Sequence, residues 1–495
     1  MHTERFLRVP TRQSLKAVFL FIISTFLFFF LVILLYGSFL PDDAYIHMTY
    51  AHDIAAGNGF SFAGNKTYGT TSPMWPMLIA AGGKILHNIV LSARVFSFIF
   101  TAASLVWLFS FVRLRLGNIY AIAAMLLMAG NGYFIRWSLS GMEATASCAW
   151  MLLLLSIVFL EGKESVKLVW YLLLGFSPLV RPEFYLFLIV AFIFLSFKRI
   201  PHLWKKFVVA SIPIICWNTF AYFYYGTIVP TTFQIKAGDS LFSTDWETIS
   251  RTLKLIVSSN PIEISIIIVC GTALLLKYKA SYSITKLIRS PYLFIIALIC
   301  SFYLYYILKN VTILSRYSLV LLPPIIVLTL KMAKVAAQTL SLPEKIINLL
   351  LAGIVMCSLL LQGVFTARVI KPDADNFVQG FQTVYTKMAM LLRSENKPNS
   401  AVAVSDVGII GLYSGMKVDD FVGLTDRRRF ECATKRGYFA AQKPEYLIFR
   451  GEFNLYEVVD TSKCSLQSMY SSQFQGLGIN NPTQVQVNLY RVYWK

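Results

Sequence analysis

Charged residues are scarce in this sequence. Asp, Glu, Lys and Arg make up 14% of its 495 residues, against about a quarter in typical soluble domains, whereas 56% of the residues are hydrophobic. The chain also lacks a P-loop, an HExxH motif, a GxGxxG motif, an internal repeat and a low-complexity linker. These absences exclude the common nucleotide-binding and zinc-hydrolase signatures and the repeat folds.

Paired cysteines are missing as well. The seven cysteines form no CxxC pair, and five of them fall in apolar segments, where a buried thiol is the ordinary interpretation. Cys432 and Cys464 lie in the polar C-terminal region and are the only plausible disulfide partners. The sequence leaves open whether they are linked.

Long apolar runs take the place of charge, and they predict a polytopic membrane protein. The first, 17–40, exceeds the roughly 20 residues that cross a bilayer, and no A-x-A cleavage pattern follows it, so we expect a retained span. The net charge of +20 is spread over short loops without a basic stripe, which disfavours a nucleic-acid partner. We predict about 11 spans, at 17–40, 92–112, 118–134, 145–160, 166–180, 183–197, 207–225, 255–276, 291–308, 317–330 and 346–366.

The Lys- and Arg-rich loops all fall on one side of this arrangement, which the positive-inside rule makes cytoplasmic. The N-terminus is then cytoplasmic, and residues after 366 lie outside. We therefore predict a transmembrane domain over 1–366, with a first outer loop at 41–91, and a soluble extracytoplasmic α/β domain over 367–495. Strand-like runs at 401–405, 417–422, 444–449 and 485–494 support the second domain.

The first outer loop begins with two adjacent carboxylates, Asp42 and Asp43, in "LPDDAYIHMTYAHDIAAGNG". Neighbouring carboxylates repel each other, which suits a general base, but either could instead cap a helix over 44–56. That helix looks amphipathic and interfacial, and 73–90 reads as a second interfacial or re-entrant piece. The pair alone does not decide between cap and base.

Other ionisable residues converge on the same outer side. Glu143 opens an apolar span, where a helix dipole alone would stabilise it. Arg181 lies between two apolar runs with almost no loop to solvate it, so it needs an anion: Glu183, Glu143 or an external phosphate. Lys236 and Arg316 are two further outward cations, each weak evidence alone because such residues often bind lipid headgroups.

At these residues the chain resembles the GT-C superfamily of polyprenyl-phosphate-sugar-dependent glycosyltransferases. It looks most like the bacterial subgroup containing the mycobacterial arabinofuranosyltransferases, with protein O-mannosyltransferases and the aminoarabinose lipid A transferase as more distant relatives. The matching pieces, in the expected order, are "DDAYIHMTYAHDIAAGNGFSF", "YGTTSPMWP", "SGMEA", "RPE", "VPTTFQIKAG", "SRY" and "DVGIIGLYSGMKVDDFVGLTD".

The resemblance implies inverting transfer of a sugar from a polyprenyl-phosphate donor to a cell-envelope glycan, lipid or protein, outside the cell membrane. It points to Asp42 or Asp43 as the base and to Glu143 as a further acid that positions a sugar. The candidates that it implies for the donor phosphate are Lys66, Tyr68, Arg181, Lys236, Arg316 and Tyr317.

No cofactor is expected. Nothing resembles the metal-binding pattern of oligosaccharyltransferases, and His47 and His52 are not four residues apart, so a metal-independent reaction is favoured without excluding a divalent ion. The main alternative is a transporter or a flippase for lipid-linked sugars. A transporter would carry ionisable residues near mid-span and internal repeats, whereas here the unusual charges lie at outer span ends.

Overall fold

The computed structural model describes residues 23, 25, 27–164, 166–236, 244–277, 288–395, 400–451, 454–476 and 483–495. In that part of the chain, helices form the first three quarters and a sheet the last quarter. The helices are α1 (Leu27–Tyr36), α2 (Asp42–Ala55), α3 (Met74–Leu86), α4 (Ile89–Leu116), α5 (Asn118–Ala129), α6 (Gly132–Trp137), α7 (Ala144–Leu160), α8 (Leu168–Leu174), α9 (Ser177–Val180), α10 (Glu183–Phe197), α11 (Leu203–Tyr225), α12 (Thr231–Lys236), α13 (Trp246–Ser259), α14 (Pro261–Lys277), α15 (Pro291–Leu308), α16 (Ser315–Thr339) and α17 (Glu344–Glu395).

Helix α7 lies at the centre of the helical part and is buried along nearly its whole length. Small polar residues let α4 pack closely against it. Ser104 Oγ donates to the Thr145 carbonyl at 3.1 Å, and Thr145 Oγ1 donates to the Ser97 carbonyl at 3.2 Å. Such contacts hold apolar helices together in lipid. They fix the N-terminal end of α7, where Glu143 precedes the first turn.

Fewer helices qualify as membrane spans by length than the sequence predicts. Among the described residues, five helices are long and apolar enough, namely α4, α11, α15, α16 and α17, and the pair α13 and α14, bent by 96°, would add a sixth. Several predicted spans are short helices: the 12 residues of α5 extend about 18 Å at 1.5 Å per residue, well below a bilayer core. The first part of the span at 17–40 lies outside the described residues. The count of eleven stays a prediction.

Helix α17 crosses the predicted boundary between the two domains. It runs for 52 residues from Glu344 to Glu395, about 78 Å at 1.5 Å per residue, which is far longer than a bilayer core. π-helical stretches at Thr366–Ile370 and Val378–Gln382 interrupt its α-helical pattern. The same helix therefore links the apolar part of the chain to the C-terminal sheet.

The C-terminal part is an α/β unit, as predicted. Its strands are β1 (Ala401–Val404), β2 (Lys417–Asp420), β3 (Tyr446–Arg450), β4 (Cys464–Gln475) and β5 (Gln484–Trp494), with α18 (Val407–Tyr413) and α19 (Lys435–Gln442). The sheet order is β2-β1-β3-β5-β4, in which β1 pairs in parallel with β2 and β3, and β5 pairs antiparallel with β3 and β4. Strand β4 was not predicted. Cys432 and Cys464 both carry free thiols.

The C-terminal unit lies directly on the first outer loop. Asn65 Nδ2 donates to the Val418 carbonyl at 2.5 Å, and the rings of Tyr45 and Tyr413 meet edge to face at 5.8 Å. Helix α2 therefore packs between α3 and α18, and most of its residues are buried. Helix α18 thus covers part of α2 with protein, and the location of α2 at the lipid interface stays a prediction.

Candidate active site

A cavity of about 450 Å³ opens where α2, the start of α7, the turn between α9 and α10, and the start of α16 meet. Apolar side chains such as Leu186 and Phe233 form much of its wall. Six of the nine predicted site residues line it: Asp43, Tyr68, Glu143, Arg181, Arg316 and Tyr317. Residues up to 274 positions apart in sequence thus share one partly apolar chamber with a charged wall.

Arg181 holds two carboxylates, which are two of the three anions predicted for it. Its NH1 donates to Glu143 Oε1 at 2.7 Å, while Nε and NH2 donate to the two oxygens of Glu183 at 3.1 and 2.5 Å. Tyr306 donates its hydroxyl to Glu183 Oε1 at 2.7 Å. The bidentate contact fixes the plane of the guanidinium, and Tyr317 lies 4.7 Å from it.

His47 is a member of the site that the sequence analysis missed. Its Nε2 lies 3.3 Å from Glu143 Oε2, and its Nδ1 lies 3.4 Å from Thr70 Oγ1. His47 follows Asp43 by four residues on α2, which places both side chains on the same helix face. The four-residue spacing from Asp43 is the sequence signal that points to His47.

Glu143 is held in its charged form. Burial alone would raise its pKa, but the contact with His47 and the charge of Arg181 outweigh burial and hold the pKa below its usual range. Only 3% of its side chain is exposed. A carboxylate with a low pKa and little access is a weak proton acceptor, so this geometry suits a positioning role.

Asp43 is the accessible carboxylate of the cavity. It pairs with Arg316, yet 34% of its side chain is exposed, against 8% for Arg316. Arg316 also donates to the Tyr317 hydroxyl at 3.3 Å. A cation, a phenol and an accessible carboxylate therefore meet at one point of the wall, where a proton acceptor and an anion-binding group would be adjacent.

Asp42 points away from the cavity and toward the C-terminal unit. Its two carboxylate oxygens accept the backbone N–H groups of Gly408 and Ile409, each at 3.1 Å, at the start of α18. Burial, followed by the nearby charges of Asp406 and Asp43, raises the pKa of Asp42 to about 8. Neither Asp caps α2: the helix begins at Asp42, after Pro41, without a side-chain cap.

The remaining candidates are placed differently. The Tyr68 hydroxyl accepts a hydrogen bond from Trp217 Nε1 at 2.6 Å, and its ring stacks on Tyr225. Lys66 does not line the cavity; its Nζ lies 4.0 Å from the ring centroid of Tyr224. Lys236 ends α12, and its side chain lies outside the described residues. The roles of all three stay predictions.

No group of three or more His, Cys, Asp or Glu side chains is arranged to hold a metal ion within the described part of the chain. The two histidines of α2 behave differently from each other. His47 contacts Glu143 inside the cavity, whereas His52 is largely exposed and lies 3.4 Å from Asp53. The metal-independent reaction stays a prediction.

Comparison with solved structures identifies the fold. ArnT from Cupriavidus metallidurans in the apo state matches with a TM-score of 0.63 and 13% identity, covering 96% of this chain and 98% of that one. The same protein bound to undecaprenyl phosphate matches with a TM-score of 0.60 and 12% identity, covering 95% of this chain and 97% of that one. A third match is the archaeal oligosaccharyltransferase AglB from Archaeoglobus fulgidus, in complex with an inhibitory peptide and a dolichol-phosphate. Its TM-score is 0.52 at 11% identity, and the match covers 88% of this chain and 69% of that one. The chain thus has the GT-C membrane fold.

Two family models match parts of the chain. Residues 70–223 match the family model described as dolichyl-phosphate-mannose-protein mannosyltransferase, and residues 375–490 match a domain of unknown function, DUF8728. No curated protein sequence matches. The fold and the mannosyltransferase match confirm the resemblance to GT-C glycosyltransferases and support a multi-pass membrane glycosyltransferase. The narrower placement beside the arabinofuranosyltransferases stays a prediction.

Proposed function

We propose that this protein transfers a sugar from a polyprenyl-phosphate donor to a hydroxyl group of a cell-envelope glycan, lipid or protein, with Asp43 as the general base. One observation carries the proposal: a single cavity in a GT-C fold brings an accessible carboxylate next to Arg316 and next to the network of Glu143 and Arg181. Its apolar walls suit the lipid part of such a donor. We favour the transferase over a flippase because this polar wall provides a base for the acceptor hydroxyl.

We place the cavity on the extracytoplasmic side of the cell membrane. Glu143 lies at the N-terminal end of α7, whereas Glu161, at its C-terminal end, contacts Lys206 at 2.5 Å and accepts a hydrogen bond from Lys198 at its carbonyl. Helix α7 has 17 residues, about 25 Å, so the cavity and these basic residues lie at opposite ends of it. The positive-inside rule makes the basic end cytoplasmic. The division into a transmembrane part, 1–366, and an extracytoplasmic part, 367–495, belongs to the same proposal.

Asp43 is the best base among the three candidate carboxylates. Burial raises the pKa of Asp42, which would favour proton uptake, but Asp42 is buried against α18 and does not line the cavity. Glu143 lines the cavity, but His47 and Arg181 hold it charged and nearly inaccessible. A general base must first reach the proton that it removes, so geometry outranks pKa here.

Arg316 is the group that links the base to the donor phosphate. In the ligand-free chain its charge is paired with Asp43. An entering phosphate would compete for this guanidinium, whose N–H groups can bind two phosphate oxygens at once, and would release Asp43 toward the acceptor hydroxyl. Arg316 would then stabilise the charge that develops on the departing phosphate. Tyr317, within hydrogen-bond distance of Arg316, is placed to assist.

The transfer itself is a single displacement. The acceptor oxygen forms a bond to the anomeric carbon of the sugar, the bond from that carbon to the phosphate oxygen breaks, and the acceptor proton moves to Asp43. The bonding electrons leave with polyprenyl phosphate. One displacement without a covalent intermediate inverts the anomeric configuration, and this is the outcome that we propose.

A deletion strain tests the proposal. We expect the strain to lose one glycosylated envelope component, seen by mass spectrometry of its glycans and lipids, and to regain it with the wild-type gene. Asp43→Asn should not restore the component, whereas the control Asp375→Asn should, because Asp375 belongs to a partly exposed pair with Lys371. An unchanged envelope in the deletion strain, or restoration by Asp43→Asn, would contradict the proposal.

A further inference from the structure

A second recess, of about 250 Å³, lies outside the cavity where residues 64–67 of the first outer loop face the C-terminal unit. Lys417, Asp426, Arg427 and Arg428 form its other side. Among the described residues, the lining, Lys66 included, contains four cations and one carboxylate and no large apolar side chain. The recess is therefore polar and positively charged, in contrast to the largely apolar cavity.

Arg428 forms a fixed part of this recess. Its Nε donates to Asp426 Oδ1 at 2.9 Å, and its NH2 donates to Asp419 Oδ1 at 3.0 Å and to Asn65 Oδ1 at 3.2 Å. Arg428 thus pairs with both buried carboxylates, Asp419 and Asp426, and ties the two sides together. The positive charge of Arg428 is therefore already paired with carboxylates of the protein.

The other three cations keep donors for a ligand. Arg427 uses one of its five N–H groups on the Tyr225 carbonyl, at 3.1 Å. Lys417 is 43% exposed and lies 3.9 Å from Asp419, at the limit of an ion pair. Lys66 is exposed. The four cations of the recess outnumber the two carboxylates, Asp419 and Asp426, so a net positive charge remains and favours an oxyanion.

Two chain segments connect the recess to the cavity. Thr67 lines the recess and the next residue, Tyr68, lines the cavity; Asp426 lines the recess and Leu424 lines the cavity. Since consecutive Cα atoms are about 3.8 Å apart, one or two residues correspond to about 4–7 Å. A molecule anchored in the recess would therefore lie beside the cavity.

We infer that this recess binds an oxyanion, a phosphate ester or a carboxylate, carried by the sugar acceptor, and so orients the acceptor toward Asp43. The inference rests on the proposed function. The donor phosphate does not fit the recess, because that phosphate is joined to a polyprenyl chain and the recess has no apolar lining. Lys66, which the family resemblance implied as a ligand of the donor phosphate, is therefore reassigned to binding of the acceptor.

The test is binding of mannose 6-phosphate to the full chain in phosphatidylcholine nanodiscs, measured by isothermal titration calorimetry, with mannose as the uncharged comparison. We expect mannose 6-phosphate alone to bind and added salt to weaken it. The double variant Lys417→Gln with Arg427→Gln should weaken binding at least about tenfold, through the loss of two charge-assisted contacts. Lys463→Gln is the matched control, because Lys463 precedes β4 at the opposite edge of the sheet from β2.

Equal binding of mannose and mannose 6-phosphate, absence of binding, or equal binding by the double variant would each overturn the inference. Full displacement of the sugar phosphate from the wild type by phosphatidylglycerol in the nanodisc would assign the recess to a lipid headgroup and would also overturn it. The measurement needs neither donor nor transfer. Absence of mannose 6-phosphate binding would therefore not contradict the proposed transferase activity. Likewise, absence of sugar transfer would not change the binding result.

Discussion

The contact between Asp42 and Gly408 joins the C-terminal unit to the helix that carries Asp43, so a single methyl group at Gly408 should disturb the site from outside the cavity. A Cβ atom there would lie 2.1 Å from the Asp42 carbonyl oxygen and 2.7 Å from its Oδ1. Ordinary contact begins at 3.4 Å, so the first distance is 1.3 Å too short. The backbone of α2 or of α18 has to move by about that amount.

The expected magnitude follows from this displacement. Overpacking costs about 1–3 kcal/mol, and the two hydrogen bonds to Asp42 are weakened in addition. A shift of about 1 Å in a reacting group costs on the order of 10²-fold in rate. Gly408→Ala should therefore lower the transfer rate by about 10- to 100-fold and lower the unfolding temperature, as measured by radiolabelled sugar transfer and by thermal unfolding in detergent.

Gly353→Ala is the matched control, because no atom of the described residues lies within 4 Å of a Cβ at that helical position. Alanine there should be neutral or slightly stabilising, by at most about 1 kcal/mol. If Gly408→Ala transferred sugar at the wild-type rate with unchanged unfolding, the coupling between α18 and Asp43 would be refuted.

Three further outcomes are expected. Because the pKa of Asp42 is about 8 in the folded chain against the ordinary 3.8, the folded chain retains a proton that the unfolded chain loses between these values. Stability should therefore fall as pH rises from about 4 to about 8, and Asp42→Asn should flatten that dependence in thermal unfolding measured at several pH values; an equally steep fall in the variant would disagree. Glu143→Gln should cost about 3 kcal/mol in denaturant unfolding by leaving buried Arg181 with one carboxylate, and wild-type stability would contradict this. Tyr68→Phe should cost about 1–3 kcal/mol because the Trp217 N–H loses its acceptor, and no loss would show that another acceptor replaces it.

The sequence predicted the parts of the fold that depend on local pattern. The alternating run at 401–405 and the apolar run at 444–449 became β1 and β3, because a half-buried or buried strand leaves a direct signal in its residues. Strand β4 was missed because exposure does not alternate along it: Gln467 and Ser468 are both exposed and Met469 and Tyr470 are both half-buried, where the register shifts. The apolar run at 118–134 forms two helices, because α5 ends before Gly130 and Asn131 caps α6, a break that the apolar pattern did not indicate.

The site could be predicted as a set of residues but not as an arrangement. Arg181 could be predicted as a site residue, because a cation between two apolar runs needs an anion. Both carboxylates that the sequence offered as partners, Glu143 and Glu183, contact it. The choice between Asp42 and Asp43 depends on where α18 docks, 366 residues later in the chain. No local pattern contains that contact. The structure rules out a side-chain cap on α2 and separates the two carboxylates, because Asp42 contacts α18 and Asp43 lines the cavity.

The most direct test of the central claim is the single-turnover rate of sugar transfer by Asp43→Asn, with the purified full chain and a polyprenyl-phosphate-sugar donor. Loss of a general base should lower the rate by about 10²- to 10⁴-fold, while Asp375→Asn stays near the wild-type rate. Thermal unfolding of each variant shows that the fold persists. Transfer by Asp43→Asn at the wild-type rate would contradict the assignment of Asp43 as the base.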